Sequence, residues 1–326
     1  MIRKFSLLIF ILAFSNALAA ELPGIPEFIN DMVAKYQFNH DELVHVFQEA
    51  EVRQDVIDAM NAPSTAKPWM EYRASFINPQ RIDGGIQFWL KHTKALERAE
   101  KLYGVPQEII IAVIGVETLY GKNAGNYRTL DALTTLTFDY PRRVDFFRGE
   151  LEQYLLLARE QHFNLLSIKA SYAGALGIPQ FMPSSYRKNA VDFNGDGKID
   201  LMNEADDAIG SVANYLKQYG WKAGEPVAVR ATVVNEARTN DVGAARSMAA
   251  WSALGVTPQV PFEGGVYAYL LDFTVPEGKE FWFGFNNFAV ITTYNNSSFY
   301  AMSVYQLAVE IRKAARLHGM IRRAPL

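Results

Sequence analysis

Glu117 is the residue of this chain whose type and position best suit acid–base chemistry. It directly follows the stretch 109–116, which is almost entirely apolar, leaves no polar face and is typical of a buried helix. Burial raises the pKa of a carboxyl group, and the negative end of a helix dipole acts in the same direction. A carboxylic acid that stays protonated near neutral pH can serve as a general acid. The alternative is a carboxylate at the rim of the helix, solvated or paired with an arginine.

A second chemical pattern is the run Asp192-Phe-Asn194-Gly-Asp196-Gly-Lys198. It matches the start of an EF-hand calcium loop, with oxygen ligands at positions 1, 3 and 5, glycine at position 6 and a backbone carbonyl, that of Lys198, at position 7. A solvated turn rich in Asp, Asn and Gly is the alternative explanation. The match favours calcium.

The end of this loop departs from the EF-hand pattern. Position 12 is Asn203 where a bidentate glutamate is usual, and a longer loop could close through Asp206 or Asp207 instead. With about four carboxylates and no glutamate at position 12, we expect a structural ion and not a signalling switch.

Neutral polar residues form a third pattern. Ser171, Tyr172 and Gln180 belong to a segment in which Gly174 and Gly177 indicate close approach of the backbone to another helix or to a ligand. Side chains of this kind orient sugars in binding sites. Packing alone would explain the glycines equally well.

Composition excludes several other chemistries. The chain has no cysteine, which rules out thiol catalysis, disulfides, zinc–thiolate sites and a lipid-modified cysteine. The five histidines show no metal-ligand spacing apart from His40 and His45, which are better explained as solvated, and neither a nucleophile elbow nor a phosphate-binding glycine loop is present. A carboxylate is therefore the best remaining catalytic candidate.

The N-terminus predicts export. Arg3 and Lys4 precede an apolar run, 5–14, which is too short to span a bilayer, and Ala17-Leu-Ala19 offers a cleavage site. Residues 1–20 are therefore predicted to be a cleaved signal peptide, and an uncleaved anchor is disfavoured. The remaining 30 basic and 35 acidic residues leave a charge of −5, which does not suggest nucleic acid or anionic lipid as a partner. We expect a soluble periplasmic protein with no membrane anchor.

The apolar periodicity predicts an α+β protein that is mainly α. Helical spacing predicts helices at 27–36, 41–51, 53–61, 82–103, 144–161, 207–218 and 301–317. For the helix that carries Glu117, Pro106 predicts the start and Gly121 a left-handed stop. Alternation predicts strands at 227–234, 265–275 and 279–293. The aromatic stretch 69–79 is expected to be irregular, and 242–254 to be helical.

Taken together, these motifs resemble one known family. The sequence is similar to the membrane-bound lytic murein transglycosylase B family over about residues 25–320. The motifs that carry the similarity, besides the calcium-type loop, are Val116-Glu-Thr-Leu-Tyr-Gly121, Phe138-Asp-Tyr-Pro-Arg-Arg143, Ser171-Tyr-Ala-Gly-Ala175, Gln180-Phe-Met-Pro-Ser-Ser-Tyr186 and Tyr294-Asn295.

The resemblance implies a fold and its division into domains. A goose-type lysozyme-like core would be joined by a flanking helical domain, made of both termini, and by a small β domain. The expected division is a signal peptide at 1–20, the N-terminal part of the helical domain at 21–80, the lysozyme-like core with its EF-hand-like loop at 81–224, the small β-containing domain at 225–292, and a C-terminal helix returning to the helical domain at 293–326.

The resemblance also implies an activity. Family members cleave the β-1,4 bond between N-acetylmuramic acid and N-acetylglucosamine in peptidoglycan without water, and form 1,6-anhydromuramic acid ends. The family's single catalytic glutamate falls on Glu117, which would act as general acid and then as general base. Groove residues that contact the glycan strand fall on Ser171, Gln180, Tyr72, Tyr215, Tyr294, Asn295 and Tyr300.

The family's cofactor would be a structural calcium ion, with no organic cofactor. Its ligands fall on Asp192, Asn194, Asp196, the carbonyl of Lys198, and Asp206 or Asp207. Besides peptidoglycan strands, proteins of cell-wall synthesis or remodelling are candidate partners. The missing lipidation cysteine suggests a soluble form despite the family name.

Two rival functions stay open from the sequence. One is a hydrolysing lysozyme in which Asp131 or Asp139 serves as a second carboxylate, since a glycosidase that retains configuration usually needs a nucleophile. The other is a catalytically silent protein that binds peptidoglycan.

Overall fold

The computed structural model describes residues 22–62, 67–234, 242–317 and 319. The predicted signal peptide lies outside the described residues. None of the helices in the described part of the chain has the length and apolar character that a membrane span requires.

The described residues form mostly helices. The helices are α1 (Ile25–Tyr36), α2 (His40–Gln48), α3 (Gln54–Asn61), α4 (Trp69–Phe76), α5 (Pro79–Lys91), α6 (Thr93–Tyr103), α7 (Gln107–Thr118), α8 (Thr129–Phe138), α9 (Val144–Gln161), α10 (Pro183–Asn189), α11 (Ala205–Gln218), α12 (Met248–Ala253), α13 (Asn286–Tyr294) and α14 (Ser298–Leu317). The strands are β1 (Tyr127–Arg128), β2 (Lys169–Ala170), β3 (Ala228–Val233), β4 (Ala245–Ser247), β5 (Val256–Pro258), β6 (Tyr267–Val275) and β7 (Gly278–Gly284).

The helix α7 lies at the centre of the largest hydrophobic cluster. Its residues 110–114 are fully buried, as the absence of a polar face predicts. Helices α5, α6, α11 and α14 pack around it. A polar group on this helix can reach solvent only near its ends, and Glu117 lies in the last turn.

A second cluster joins the N-terminal helices to α8 and α9. Phe28 of α1 packs edge to face against Phe47 of α2, with ring centroids 5.8 Å apart, and Leu133 and Leu151 contribute from α8 and α9. The helices that precede residue 62 therefore pack on α8 and α9.

The larger sheet is antiparallel, with strand order β4-β6-β7-β3-β5. Alternate residues of β6 serve different cores, because successive side chains of a strand point to opposite faces. Leu270 joins a small cluster with Trp251 of α12, whereas Phe273 packs on Trp69 of α4 at 4.6 Å between ring centroids. The sheet is thereby fixed against α4.

Several predicted elements are wrong. Residues 69–76 form the helix α4 and are not irregular, and the predicted helix 82–103 is two helices, α5 and α6, with His92 between them. Residues 286–294 form α13, where a strand was predicted. Within 242–254 only Met248–Ala253 is helical, and Ala245–Ser247 is a strand.

Candidate active site

Glu117 occupies a partly open position between buried neighbours. Val116 and Thr118 are buried, while Glu117 keeps partial access to solvent. The Oη of Tyr300 donates a hydrogen bond of 2.5 Å to Glu117 Oε1. Desolvation raises the pKa of Glu117 to about 7, and the hydrogen bond from Tyr300 opposes this rise. The carboxyl group is therefore poised to exchange a proton near neutral pH.

Tyrosines surround this carboxyl group. Burial raises the pKa values of Tyr72, Tyr294 and Tyr300, and the nearby charge of Glu117 raises them further. The rings of Tyr294 and Tyr300 are nearly parallel, with centroids 6.3 Å apart. Tyr215 continues the row, 4.8 Å from Tyr294. The structure thus brings together Glu117 and four of the sequence-predicted groove residues.

A loop that contacts both Thr118 and Tyr294 carries Gln180, one of the polar candidates. Thr118 Oγ1 donates to the carbonyl of Ile178 over 2.8 Å, and Tyr294 Oη donates to the carbonyl of Pro179 over 2.6 Å. Gln180 follows directly and has left-handed backbone, with φ of 53°. Its side-chain amide donates to the carbonyls of Ala124 and Gly177, at 3.0 and 2.9 Å. Loop contacts therefore hold this side chain in place.

The two remaining groove candidates lie at chain turns. Ser171 Oγ accepts a hydrogen bond from the backbone N–H of Ala175 at 3.1 Å, which shapes its own turn. Asn295 follows α13 immediately after Tyr294 and is exposed. Both residues are placed by their own loops and not by a contact with Glu117.

The calcium-type loop folds back on its own carboxylates. Asp192 accepts from the N–H groups of Gly195 and Gly197, at 2.6 and 2.8 Å. Asn194 Oδ1 accepts from Asp196 N, and Asp196 Oδ1 from Lys198 N, each at 2.9 Å. The side chains at positions 1, 3 and 5 thus turn toward the interior of the loop. Among the described residues, no three His, Asp or Glu side chains converge as a metal site.

The two candidate closing aspartates have different surroundings. Asp207 is buried, and its carboxylate accepts from the N–H groups of Phe193, Asn194 and Asp200. Asp206 is partly exposed, and its Oδ1 lies 3.0 Å from His92 Nδ1. Asp207 therefore ties the loop to α11, and Asp206 retains an oxygen free of these bonds.

Among the described residues, neither candidate second carboxylate shares a hydrogen-bond partner with Glu117. Asp131 is buried and bound by Arg128 Nε at 2.7 Å and by the N–H of Glu51 at 3.0 Å. Asp139 is exposed where α8 ends. Burial, opposed by the hydrogen bond from Tyr300, accounts for the raised pKa of Glu117.

Sequence reasoning missed two residues next to Glu117. Thr118 is fully buried and links α7 to the loop through Ile178. Tyr120 inserts between α5 and α7, where Gly84 and Gly115 leave room for its ring. The paired glycines at 84 and 85, in a segment of helical periodicity, were the available signal, because helix interiors disfavour glycine. Gly121 was expected to stop α7, but the helix ends at Thr118.

Comparison with known proteins identifies the family. The transglycosylase SLT domain family matches residues 21–309. Membrane-bound lytic murein transglycosylase B of Escherichia coli K12 is 44% identical over 305 residues, which cover 90% of this chain and 84% of that protein. The chain belongs to the membrane-bound lytic murein transglycosylase B family.

Solved structures of lytic transglycosylases share the fold. Soluble SltB1 from Pseudomonas aeruginosa is 47% identical with a TM-score of 0.85, over 91% of this chain and 100% of that one. Slt35 of Escherichia coli, solved in complex with calcium, is 44% identical with a TM-score of 0.85, over 90% of this chain and 94% of that one. The expected mainly helical, lysozyme-like fold of this family is confirmed.

Proposed function

We propose that this peptidoglycan lytic transglycosylase uses Glu117 as its only acid and base, and cleaves the β-1,4 bond between N-acetylmuramic acid and N-acetylglucosamine. Membership of the family supports the activity. The observation that carries the mechanism is the position of Glu117, a carboxyl group with a pKa of about 7 that is bound by Tyr300.

The first step needs a protonated Glu117. The carboxylic acid gives its proton to the glycosidic oxygen, and the bond between that oxygen and the anomeric carbon of N-acetylmuramic acid breaks. The N-acetyl oxygen of the same sugar assists at the anomeric carbon, in the role that a carboxylate nucleophile fills in most retaining glycosidases. Tyr300 then stabilises the resulting carboxylate through its hydrogen bond.

The second step returns the proton. The 6-hydroxyl of N-acetylmuramic acid attacks the anomeric carbon, displaces the N-acetyl oxygen from it and gives its proton to the Glu117 carboxylate. This forms the 1,6-anhydro ring, regenerates the N-acetyl group and restores the acid. Water is not consumed. A pKa of about 7 suits both proton transfers because neither form of the side chain is strongly disfavoured.

The surrounding residues supply binding and orientation. Ser171 positions the N-acetyl group, and Gln180 holds the adjacent sugar. The side chains of Tyr72, Tyr215, Tyr294, Asn295 and Tyr300 line the groove for the glycan strand. Aromatic rings present apolar faces to sugars, and their hydroxyls bond at the edge. The fixed amide of Gln180 supports its role, because two backbone carbonyls already hold it.

A hydrolysing lysozyme is less well supported. Retaining hydrolysis usually employs a second carboxylate about 5 Å from the acid. The carboxylate of Asp131 is instead engaged by Arg128 and by the backbone N–H of Glu51.

The test is mass spectrometry of fragments released from purified murein sacculi. Fragments that end in 1,6-anhydromuramic acid, lighter by one water than reducing ends, are expected. Glu117→Gln should bind sacculi and release no fragments. Reducing ends would indicate a lysozyme, no release by the native protein would indicate a binding protein, and an active Glu117→Gln variant would remove Glu117 from the mechanism.

We also propose that the loop 192–207 holds a structural calcium ion. Its oxygen donors fit a hard cation, since Asp192, Asn194 and Asp196 turn inward and position 7 offers the carbonyl of Lys198. Asp206 is the better closing ligand, because three backbone N–H groups already occupy Asp207. The ion would stiffen the loop next to α11.

The family assignment implies action on peptidoglycan and therefore a place in the cell-wall space. Within that space, we propose a soluble periplasmic enzyme, released by cleavage of the signal peptide at 1–20. Its basic n-region, short apolar run and small-residue cleavage site support this. Proteins of cell-wall synthesis or remodelling remain its proposed partners.

A further inference from the structure

The turn that follows Glu117 has an unusual backbone. After α7 ends at Thr118, Leu119, Tyr120 and Gly121 have φ values of 51°, 62° and 85°. Left-handed backbone is unfavourable for leucine and tyrosine, because Cβ crowds the following carbonyl oxygen. Such residues persist where surrounding contacts impose the conformation, and they concentrate at functional sites. The contacts that hold this turn therefore bear on how Glu117 is positioned.

The ring of Tyr120 lies in a slot made by three glycines. A Cβ on Gly84 would lie 2.7 Å from a ring carbon of Tyr120, and a Cβ on Gly85 or Gly115 would lie 2.8 or 2.6 Å from its hydroxyl oxygen. The hydroxyl donates to the carbonyl of Arg81 over 2.6 Å. Arg81 Nε in turn donates to the carbonyl of Gly115 over 3.1 Å. One side chain thus locks α5 to α7.

Thr118 anchors the other side of the same turn. Its Oγ1 accepts from the N–H of Gly121 at 2.9 Å and donates to the carbonyl of Ile178 at 2.8 Å. The turn is therefore held from two directions, by α5 through Tyr120 and by the loop that carries Gln180 through Thr118. Glu117 lies between these two anchors and the body of α7.

We propose that Tyr120 is a positioning residue, whose ring in the glycine slot holds the last turn of α7 and so keeps the Glu117 carboxyl group against Tyr300. The inference rests on the proposed role of Glu117 as acid and base. The last carbonyls of a helix lack partners within the helix, so this turn would fray without an anchor. Fraying would move the carboxyl group away from Tyr300 and toward water.

The pH dependence of the reaction would reveal such a movement of the Glu117 carboxyl group toward water. The titratable groups of the described residues that face Glu117 are Tyr72 of α4, Tyr294 of α13 and Tyr300 of α14. Burial raises the pKa of each, so all three stay neutral near pH 7. The pH at which the general acid is lost is therefore set mainly by the burial of Glu117. Better solvation would lower it.

The deciding variant is Gly84→Ala, which leaves Glu117 and Tyr120 unchanged. Its new methyl group would push the Tyr120 ring out of the slot from the side of α5. Gly149→Ala is the matched control: Gly149 also lies inside a helix, α9, but nothing lies within 4 Å of its Cβ position. Both substitutions favour helix formation equally. Tyr120→Phe, which removes only the hydroxyl, decides the question if Gly84→Ala does not fold.

The readouts are kcat, KM and the midpoint of the alkaline limb of the pH–kcat profile, measured on soluble peptidoglycan strands. For Gly84→Ala we expect kcat to fall at least about tenfold, KM to stay within about twofold, and the midpoint to drop by about one pH unit. Gly149→Ala should match the native protein. Tyr120→Phe should shift the midpoint in the same direction by less.

An unchanged midpoint in Gly84→Ala would overturn the proposal, whether or not kcat falls, because a merely structural turn would not alter the pKa of Glu117. Glu117→Gln, measured in the same assay, separates this failure from failure of the mechanism. An active Glu117→Gln would refute Glu117 as the acid. An inactive Glu117→Gln with a native midpoint in Gly84→Ala would refute only the role of Tyr120.

Discussion

Tyr300 Oη lies 2.5 Å from Glu117 Oε1, although the two residues are 183 positions apart in the chain. Their hydrogen bond favours the ionised carboxylate, while burial favours the neutral acid, and the balance sets a pKa of about 7. A residue that must first give and then accept a proton benefits from this balance. Tyr300 is therefore expected to influence both the pH dependence and the rate.

Replacing Tyr300 by Phe should move the alkaline limb of the pH–kcat profile to higher pH. The change removes the hydrogen bond that lowers the pKa of Glu117, so the acid form persists further above neutral pH. We expect kcat at its optimum to fall about tenfold, because the intermediate carboxylate loses a charge-assisted hydrogen bond. Tyr305→Phe, also in α14, is the control. If the pH–kcat profile of Tyr300→Phe matches that of the native protein, the hydrogen bond from Tyr300 does not set the pKa of Glu117.

Glu117 should lower the stability of the protein at neutral and alkaline pH. Burial raises its pKa from 4.5 to about 7 in the folded state. Its contribution is therefore fully favourable below pH 4.5 and is lost as the pH rises through 7. The difference is about 3 kcal/mol.

Urea unfolding at pH 4.5 and pH 8 tests this expectation. The free energy of unfolding of Glu117→Gln, relative to the native protein, should rise by about 3 kcal/mol between the two values. Glu97→Gln, at an exposed position of α6, is the control. Parallel pH dependence of Glu117→Gln and the native protein would show that the pKa of Glu117 is not raised in the folded state.

Asp131 should matter for stability and not for catalysis. Its carboxylate binds Arg128 and the N–H of Glu51, and so joins α8 to the segment between α2 and α3. Asp131→Asn should lower the free energy of unfolding by about 2 kcal/mol, while kcat and the anhydro product stay as in the native protein. A folded but inactive Asp131→Asn variant would favour the hypothesis of a hydrolysing lysozyme.

Calcium should stabilise the protein through the loop 192–207. We expect millimolar calcium to raise Tm by roughly 3 °C or more, as followed by thermal unfolding after chelation. Asp192→Asn should remove the shift, because Asp192 supplies the first ligand of the loop. Asp145→Asn, an exposed carboxylate in the first turn of α9, should keep it. If calcium leaves the Tm of the native protein unchanged, the proposed site is contradicted.

Elements with strong local periodicity could be predicted closely. The helix α9 was expected at 144–161 and spans Val144–Gln161. The strand expected at 265–275 is β6, Tyr267–Val275. In both, side chains repeat with the period of one element and face one core, so neighbouring residues carry the information.

Other elements depend on partners that are distant in the chain. At 286–294, apolar residues suggested a strand, but the buried side chain of Asn287 bonds the backbone of Lys222 and Glu225 and so stabilises the start of α13 where it lies. The break between α5 and α6 falls at His92, which contacts Asp206. No local signal marks either feature, because the stabilising groups lie 60 to more than 100 residues away.

The sequence by itself determined the family, the apolar character of α7 and the presence of a carboxyl group, Glu117, at the C-terminal end of that helix. The tertiary structure alone decided the surroundings of that group. Its pKa depends on desolvation, because each element that packs around the carboxyl group excludes water from it. Tyr72, Tyr294 and Tyr300 reach Glu117 from α4, α13 and α14. Tyr120 acts through glycines of another helix, and only folding brings these residues together.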